Sequence, residues 1–156
     1  DMPDPLQTEG VVLIDEVDLH LHPGWQQTIL LDLMRTFPNI QFIVSTHSPQ
    51  VVSSVKPECL RVIDWHDEHP RLLPVLFSEG AEAQQVLLDV LGVKSARVTE
   101  LDIVQKLEDY QQMVANNQWD TKEALALRQA LDQWGAGFEP ELVRLDVDIR
   151  LQSLDR

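Results

Sequence analysis

Cysteine, basic residues and long apolar runs are all scarce in this sequence of 156 residues. The single cysteine, Cys59, excludes an internal disulfide framework and fits a reducing cytoplasm, where we expect the protein to be located. No apolar stretch approaches the roughly 20 residues that a membrane-spanning helix needs, and the first residues lack a basic-then-apolar signal sequence. We therefore expect no membrane contact. Only 12 basic residues stand against 26 acidic ones, and the formal net charge of −14 opposes non-specific binding to the phosphate backbone of a nucleic acid.

Two short apolar runs end abruptly in polar side chains that can take part in catalysis. Residues 11–14 precede Asp15 and Glu16, and residues 42–44 lead through Ser45 and Thr46 to His47. An unbroken apolar run is typical of a strand buried on both faces of a parallel sheet. Because α/β sheets bind ligands at the carboxyl ends of their strands, we expect Asp15, Glu16 and His47 to converge on one edge.

Paired acids at a strand end suit phosphoryl transfer. The first carboxylate can hold a hydrated Mg²⁺ that bridges nucleotide phosphates, while the second, pointing elsewhere, can polarise the attacking water. The run resembles the Walker B motif of P-loop ATPases, and Asp-Glu in tandem resembles their ABC-type branch. That resemblance implies ATP and Mg²⁺ as cofactors, with Asp15 holding Mg²⁺ through water, Glu16 as general base and His47 as the switch histidine at the terminal phosphate.

A chance strand ending explains the first run equally well when it is taken alone. The second run, with its histidine at βαβ distance, favours the catalytic interpretation because two linked motifs are far more specific than one.

The residues that follow Glu16 resemble those of a narrower group. Asp15-Glu16, three further residues and His-Leu-His-Pro are similar to the ABC-like ATPases of DNA repair and phage defence, the RecF, overcoming-lysogenisation-defect and Septu groups. The resemblance implies a loop that reaches the nucleotide of the other subunit in a head-to-tail dimer. This loop comprises Leu19, His20, Leu21 and His22. His20 and His22 are alternatively half of a metal site, although no Cys or acid at ligand spacing completes it.

The phosphate-binding part of such an ATPase is missing from the sequence. Neither the P-loop pattern Gly-x-x-x-x-Gly-Lys-Ser/Thr nor a Leu-Ser-Gly-Gly-type signature occurs. The sequence also starts almost directly at the Walker B strand. We therefore expect a carboxyl-terminal piece of a larger ATPase, which hydrolyses ATP only as the full-length dimer. Any nucleic-acid contact would come from the missing part.

The sequence pattern predicts an α/β fold in two domains. Residues 1–80 are expected to form the carboxyl-terminal part of an ABC-type ATPase sheet with flanking helices, and residues 81–156 an α-helical tail. A helix from about Trp25 to Thr36 joins the two parallel strands, and Ser48-Pro49 opens a short helix to about Val55. A hairpin follows, with strands from Leu60 to Trp65 and from Leu72 to Phe77 and a polar turn from His66 to Pro70 between them.

Four helices are predicted in the tail, and Gly92 and Gly135 follow the first and the third. The helices begin near Glu82, Thr99, Asp120 and Pro140. The second carries an apolar stripe of Leu101, Val104, Leu107, Tyr110 and Val114. The fourth carries Leu142, Leu145 and Ile149, with Leu151 and Leu154 on a neighbouring row.

The tail resembles the end of the Septu anti-phage ATPases, some of which are encoded beside a retron reverse transcriptase. The likeness rests on Leu91-Gly92-Val93 and on a helix pair that includes Pro140-Glu141-Leu142. In that family the ATPase assembles with an HNH nuclease. The resemblance therefore implies an ATP-hydrolysing subunit whose nucleotide state controls the nuclease, with a reverse transcriptase and its RNA/DNA product as further partners. The tail is then a candidate docking surface, or else its helices cap the sheet and bury its edge.

Other functions remain open at this point. The overcoming-lysogenisation-defect nucleases cut nucleic acid with a Toprim domain. Phe77-Ser78-Glu79-Gly80 superficially resembles the opening strand and Glu of that domain, and Asp146-x-Asp148 resembles its later acid pair. Helical spacing around Asp146 argues against it, because residues two apart on a helix face different ways and cannot share one metal ion. A RecF/SMC-like DNA-repair ATPase is a further alternative. A nucleotide-independent scaffold would not need both Glu16 and His47.

Overall fold

The computed structural model describes residues 4–66 and 68–154. They form two compact units, with the boundary between Ala96 and Arg97. The first unit mixes strands and helices, and the second consists of helices. The predicted α/β fold with a helical tail is therefore confirmed. The division of the chain into an ATPase domain and a tail near residue 80 stays a prediction.

The first unit is built on a parallel strand pair. Strand β1 (Gly10–Ile14) pairs with β2 (Ile40–Val44) in a register that joins Gly10 to Ile40 and Ile14 to Val44. Parallel strands need a long crossover connection, which helices α1 (Pro23–Gln26) and α2 (Ile29–Thr36) provide. The predicted strand–helix–strand unit is thus confirmed.

One face of this strand pair is packed, which corrects the prediction of strands buried on both faces. Ile14 and Val44 point to the face covered by α2 and α3 (Pro49–Val52), where they contact a cluster that includes the buried Leu30 and Val51. Side chains alternate between the two faces of a strand. The intervening residues therefore lie on the other face, where the helices of the described residues do not cover them: Val11, Leu13 and Ile43 are 60%, 74% and 53% exposed.

The single crossover helix predicted from Trp25 to Thr36 is divided in two. The N–H of Thr28 bonds to the carbonyl of Trp25 at 3.1 Å, a contact three residues back that tightens and ends the first turn. The carbonyl of Thr28 then accepts the N–H of Asp32 at 2.9 Å and starts the second helix. The break allows the residues of α1 and those of α2 to face different neighbours.

The helix after β2 begins as predicted but is shorter. Ser48 is its N-cap and accepts the N–H of Val51 at 3.3 Å, while Pro49 occupies the first turn, where no N–H is needed. The hydroxyls of Ser53 and Ser54 bond to the carbonyls of Gln50 and Val51. Side-chain hydroxyls that compete for backbone carbonyls weaken helices, so α3 ends at Val52 instead of Val55.

The predicted hairpin is present with a different register. Strands β3 (Val62–His66) and β4 (His69–Leu73) are antiparallel, and His66 pairs with His69. The turn is therefore shorter than the predicted one from His66 to Pro70. Glu68 has a φ of +64°, which is typical of two-residue hairpin turns, and Asp67 lies outside the described residues. The second strand ends at Leu73 and so does not reach Phe77.

Helix α4 (Ala83–Asp89) belongs to the first unit. Its Val86 is fully buried and packs with Val52, Ala81 and Val90. The chain leaves the helix through Gly92, whose φ of +67° lies in the left-handed region. The predicted glycine at this helix end is thus confirmed.

The second unit consists, within the described residues, of helices α5 (Asp102–Ala115), α6 (Lys122–Gly135) and α7 (Pro140–Leu154). Their buried side chains form one core: Leu107, Tyr110, Val114, Ala124, Leu131, Leu142 and Leu145. The predicted stripe of α5 is buried except for Leu101, which precedes the helix and is 51% exposed. The neighbouring row of α7 is also uncovered, because Leu151 and Leu154 are 57% and 81% exposed.

Caps and ion pairs fix how these helices meet. Thr121 caps α6 by accepting the N–H of Ala124 at 3.2 Å, which confirms the predicted helix start. Arg128 of α6 bonds to Asp132 and to Asp146 of α7, and the bond to Asp146 raises the pKa of Arg128 above its ordinary value. Arg97 bonds to both carboxylate oxygens of Glu139, at 3.1 and 2.7 Å, and lowers the pKa of that acid.

Across the described part of the chain, none of the helices combines the length and the apolar character that crossing a membrane requires.

We predict that Leu131→Ala destabilises the helical unit by about 2–5 kcal/mol, because it removes a fully buried side chain from the core and leaves a cavity. Leu125→Ala on the same helix is the matched control, since Leu125 is 58% exposed. Urea unfolding of both variants, followed by circular dichroism, measures the difference. Equal losses in the two variants would contradict the packing described for α6.

Candidate functional site at the strand ends

The carboxyl ends of β1 and β2 lie side by side because the strands are parallel and in register. Ile14 and Val44 are paired, so Asp15 and Ser45 are the next residues along their strands. Glu16 follows Asp15, and Thr46 and His47 follow Ser45. The two sequence motifs therefore leave the sheet at the same edge.

Ser45 joins the two strand ends through four hydrogen bonds. Its N–H donates to the carbonyl of Ile14 at 3.0 Å, and its carbonyl accepts the N–H of Val17 at 3.0 Å. The Oγ atom accepts the N–H of Glu16 at 2.8 Å and donates its own proton to Oδ1 of Asp15. One small side chain thus holds both acids of the Asp-Glu pair, one by its carboxylate and the other by its backbone.

Glu16 adopts a backbone conformation that is uncommon for a residue with a side chain. Its φ is +48°, in the left-handed region, which costs roughly 1–2 kcal/mol for an L-residue. The amides of Glu16 and Val17 both bond to Ser45, so the surrounding contacts hold the strained residue in place. Backbone strain that is held in place by surrounding contacts is common at functional sites.

A second group of hydrogen bonds surrounds His47. The Thr46 hydroxyl donates to Oδ1 of Asp18 and accepts the N–H of Ser48 at 3.0 Å. Oγ of the buried Ser48 lies 2.7 Å from Oε1 of Gln26. The other end of the Gln26 amide, Nε2, donates to the carbonyls of Asp18 and Leu21 at 3.3 and 3.0 Å. We call these residues, Asp18, Leu21, Gln26, Thr46 and Ser48, the Gln26 ring.

His47 is exposed, and both of its neighbours in the chain belong to the Gln26 ring. Its backbone is therefore held on each side while the imidazole lies at the surface. This arrangement suits a side chain that contacts a ligand.

The 19–22 loop directly follows the acids. Leu19 is 56% exposed, and His20 has a φ of +61°. His22 precedes α1, and its Nδ1 accepts the N–H of Gly24 at 3.1 Å. The side chain of His22 thus serves as the N-cap of α1. Sequence reasoning did not predict this role, because Ser, Thr, Asp and Asn are the usual caps.

No three His, Cys, Asp or Glu side chains in the described ranges lie close enough together to hold a metal ion. A structural zinc site needs four protein ligands. Mg²⁺ in nucleotide sites is instead bound by one or two carboxylates together with phosphates and water. Asp15 is exposed and commits Oδ1 to Ser45, so the donor set fits a magnesium ion whose other ligands come from a nucleotide.

Sequence reasoning predicted the acids and the histidine but missed four side chains around them. Ser45, Thr46, Asp18 and Gln26 carry the hydrogen bonds of the site. The hydroxyls of Ser45 and Thr46 offered a signal, because polar residues that follow a strand directly lie within reach of the acids that end its neighbour. Gln26 offered no such signal, since nothing in its surrounding sequence distinguishes it from Gln27.

Residues 2–53 match a family model described as "AAA domain, putative AbiEii toxin, Type IV TA system". This range includes β1, the crossover helices, β2 and all the residues of the Gln26 ring.

The chain is also similar to curated proteins of two named kinds. It is 41% identical over 125 residues to "Retron Vc95 probable ATPase" of Vibrio cholerae serotype O1 biovar El Tor, a match that covers 80% of this chain and 24% of that protein. It is 36% identical over 145 residues to "Retron Ec83 probable ATPase" of Escherichia coli, covering 93% and 26%. It is 36% identical over 94 residues to "Septu protein PtuA" of Bacillus thuringiensis, covering 57% and 24%.

The chain spans about a quarter of the length of these relatives. Together with the mixed α/β fold, the matches show that the chain is related to the ABC-like ATPases of the retron and Septu type.

Proposed function

We propose that this chain is part of a longer cytoplasmic ATPase of anti-phage defence, whose nucleotide state controls a partner HNH nuclease. The observation that carries the proposal is the in-register parallel strand pair, which brings Asp15 and Glu16 to the same edge as His47. The names of the retron and Septu relatives support the defence role.

In this proposal Glu16 and His47 act directly on ATP. A carboxylate oxygen of Glu16 accepts a proton from a water molecule as the oxygen of that water bonds to the terminal phosphorus. The bond between this phosphorus and its bridging oxygen breaks, and ADP leaves with the electrons of that bond. The imidazole of His47 donates a hydrogen bond to an oxygen of the terminal phosphate. Asp15 holds Mg²⁺ through water, and the ion, when bound, supplies positive charge that neutralises the phosphate oxygens.

The negative charge at the strand ends supports a nucleotide site to which another part of the protein also contributes. Asp15, Glu16 and Asp18 place three carboxylates near one edge, and a triphosphate alone would be repelled there. Binding therefore requires the cation together with a phosphate loop. The loop would lie in a part of the protein that this sequence does not include.

A second copy of the protein is the proposed partner of the 19–22 loop. In a head-to-tail dimer this loop, with its exposed Leu19, would reach the nucleotide of the other subunit. ATP hydrolysis would then require the full-length dimer.

The HNH nuclease is proposed to dock on the last helix. Val143, Val147, Leu151 and Leu154 are at least half exposed and recur every three or four residues along α7. An uncovered apolar row of this kind is typical of a helix that contacts another protein. For a retron-type relative, a reverse transcriptase with its RNA/DNA product is the further proposed partner.

The alternative of a Toprim-type nuclease loses its support in the structure. It requires Asp146 and Asp148 at a strand end, whereas both lie within α7, and Asp146 is bonded to Arg128. The alternative of a RecF/SMC-like repair ATPase shares the proposed chemistry of the strand ends and differs in its partners.

We predict that Glu16→Gln in the full-length protein lowers the turnover of ATP by at least about 100-fold and traps bound ATP, because the amide cannot accept the proton from water. Glu9→Gln, at the other end of β1, is the matched control and should hydrolyse ATP at the wild-type rate. Steady-state hydrolysis and nucleotide binding are measured together. Unchanged turnover in Glu16→Gln would remove Glu16 from its role as base and would favour a scaffold.

We also predict that Ser45→Ala raises the Mg²⁺ concentration needed for half-maximal hydrolysis and lowers kcat, each by about tenfold. The change removes the acceptor for the Glu16 N–H and the donor to Asp15, at roughly 1 kcal/mol for each bond. Ser45→Thr keeps the hydroxyl and should restore both values. A Mg²⁺ titration that gives the same curve for Ser45→Ala as for the wild type would contradict this role.

For the nuclease, we predict that Val147→Asp combined with Leu151→Asp abolishes co-purification with the HNH protein encoded beside the gene. Leu125→Asp places the same charge on an exposed apolar position of α6 and should leave co-purification intact. Retained binding in the double variant would move the docking site away from α7.

A further inference from the structure

Gln26 connects two segments of the chain that the proposed function uses separately. Its Nε2 donates to the carbonyls of Asp18 and Leu21, which stand on either side of Leu19 and His20. Its Oε1 lies 2.7 Å from the hydroxyl of Ser48, the residue after His47. One half-buried amide therefore holds the 19–22 loop at one end and the His47 segment at the other.

A second set of hydrogen bonds, made by Thr46, connects the same two segments. The Thr46 hydroxyl, on the other side of His47, donates to the carboxylate of Asp18 and accepts the N–H of Ser48. Each of the two segments is thus held at two points. Asp18, just before the 19–22 loop, and Leu21 within it hold the first, and Thr46 and Ser48 on either side of the histidine hold the second. Neither segment can shift far without breaking a hydrogen bond to the other.

We propose that Gln26 is a positioning residue that couples the 19–22 loop to His47, so that the two segments move as one. The proposal rests on the proposed function for its consequence, since the loop faces a second subunit and His47 faces the terminal phosphate. A coupling between two sites is reciprocal. Contact between His47 and a phosphate would favour one arrangement of the loop, and docking of the loop on a second copy would favour one position of the imidazole.

Burial strengthens this coupling. Ser48 is 5% exposed, and Gln26 and Thr46 are partly buried. Hydrogen bonds shielded from water are harder to exchange for bonds to solvent, and a polar group that loses its partner there is costly.

The test uses two variants that break the ring from opposite sides in the full-length protein. Gln26→Glu keeps the shape of the side chain but replaces the amide donor by a carboxylate facing two carbonyl oxygens. Gln27→Glu makes the same change at the exposed next residue and is the matched control. Thr46→Val removes the hydroxyl on the histidine side, and Thr46→Ser restores it.

The readout is hydrogen exchange of backbone amides in the segment that was not mutated. We expect about tenfold faster exchange at the Ser48 N–H in Gln26→Glu and at the Leu21 N–H in Thr46→Val, because the ring transmits the loss of one bond to the other segment. Gln27→Glu and Thr46→Ser should exchange within about twofold of the wild type. If Gln26→Glu fails to fold, the comparison of Thr46→Val with Thr46→Ser decides whether the two segments are coupled. Wild-type exchange at Leu21 in Thr46→Val would overturn the coupling.

ATP hydrolysis gives a second, separable measurement. Coupling predicts that Gln26→Glu lowers kcat about tenfold while KM for ATP stays within about twofold of the wild type, since the amide touches no nucleotide. A loss confined to KM would also overturn the proposal. If the full-length wild type hydrolyses no ATP, the proposed function fails, and the exchange measurement still decides whether the two segments are coupled.

Discussion

The rest of the site depends on the hydrogen bonds by which Ser45 connects the ends of β1 and β2. A parallel ladder would normally end in free backbone groups at this edge. The main chain of Ser45 extends the ladder by one more residue on each strand, and its hydroxyl takes up the N–H of Glu16, which the left-handed turn directs out of the ladder. A side chain without a hydroxyl at this position would leave that N–H without its acceptor. The ending of the strand pair, the left-handed turn at Glu16 and the positions of the two acids therefore all depend on Ser45.

The part of the fold that depends on local chemistry was predictable from the sequence. The cap Ser48 and the left-handed Gly92 use properties of single residues, and both are present as predicted. Thr121 caps the helix that was predicted to begin near Asp120. The register of the β3–β4 hairpin was not predictable in the same way, because polar residues around the turn tolerate several pairings. The sequence also did not predict which face of β1 is covered. An apolar run shows that a strand can be buried, but it does not show which elements lie on each face.

In the site, the sequence singled out residues whose chemistry is unusual at a strand end, and their roles stay predictions. It missed residues whose hydrogen-bond partners are distant in the chain. Asp15, Glu16 and His47 follow apolar runs and are conspicuous in the sequence. The partners of Gln26 lie up to 22 residues away in the chain, and those of Ser45 about 30 residues away. The pairing of β1 with β2 brings Ser45 to its partners, and the position of α1 beside the strand ends brings Gln26 to its own. Two adjacent glutamines therefore receive different environments from nearly identical sequence contexts.

The hydrogen bonds also divide the acids by what each is proposed to do. Asp15 and Asp18 each accept a proton from a hydroxyl, of Ser45 and Thr46 respectively, whereas Ser45 holds Glu16 through the backbone N–H. A carboxylate oxygen that accepts a hydroxyl proton is fixed in position and has less capacity for a further partner. Such a bond suits Asp15, which is proposed to hold a cation from a fixed position, and it suits Asp18, which anchors a loop. A general base needs the opposite, a fixed position with its oxygens left out of such bonds. Holding Glu16 by the main chain gives it the position while its side-chain oxygens stay available to a water molecule.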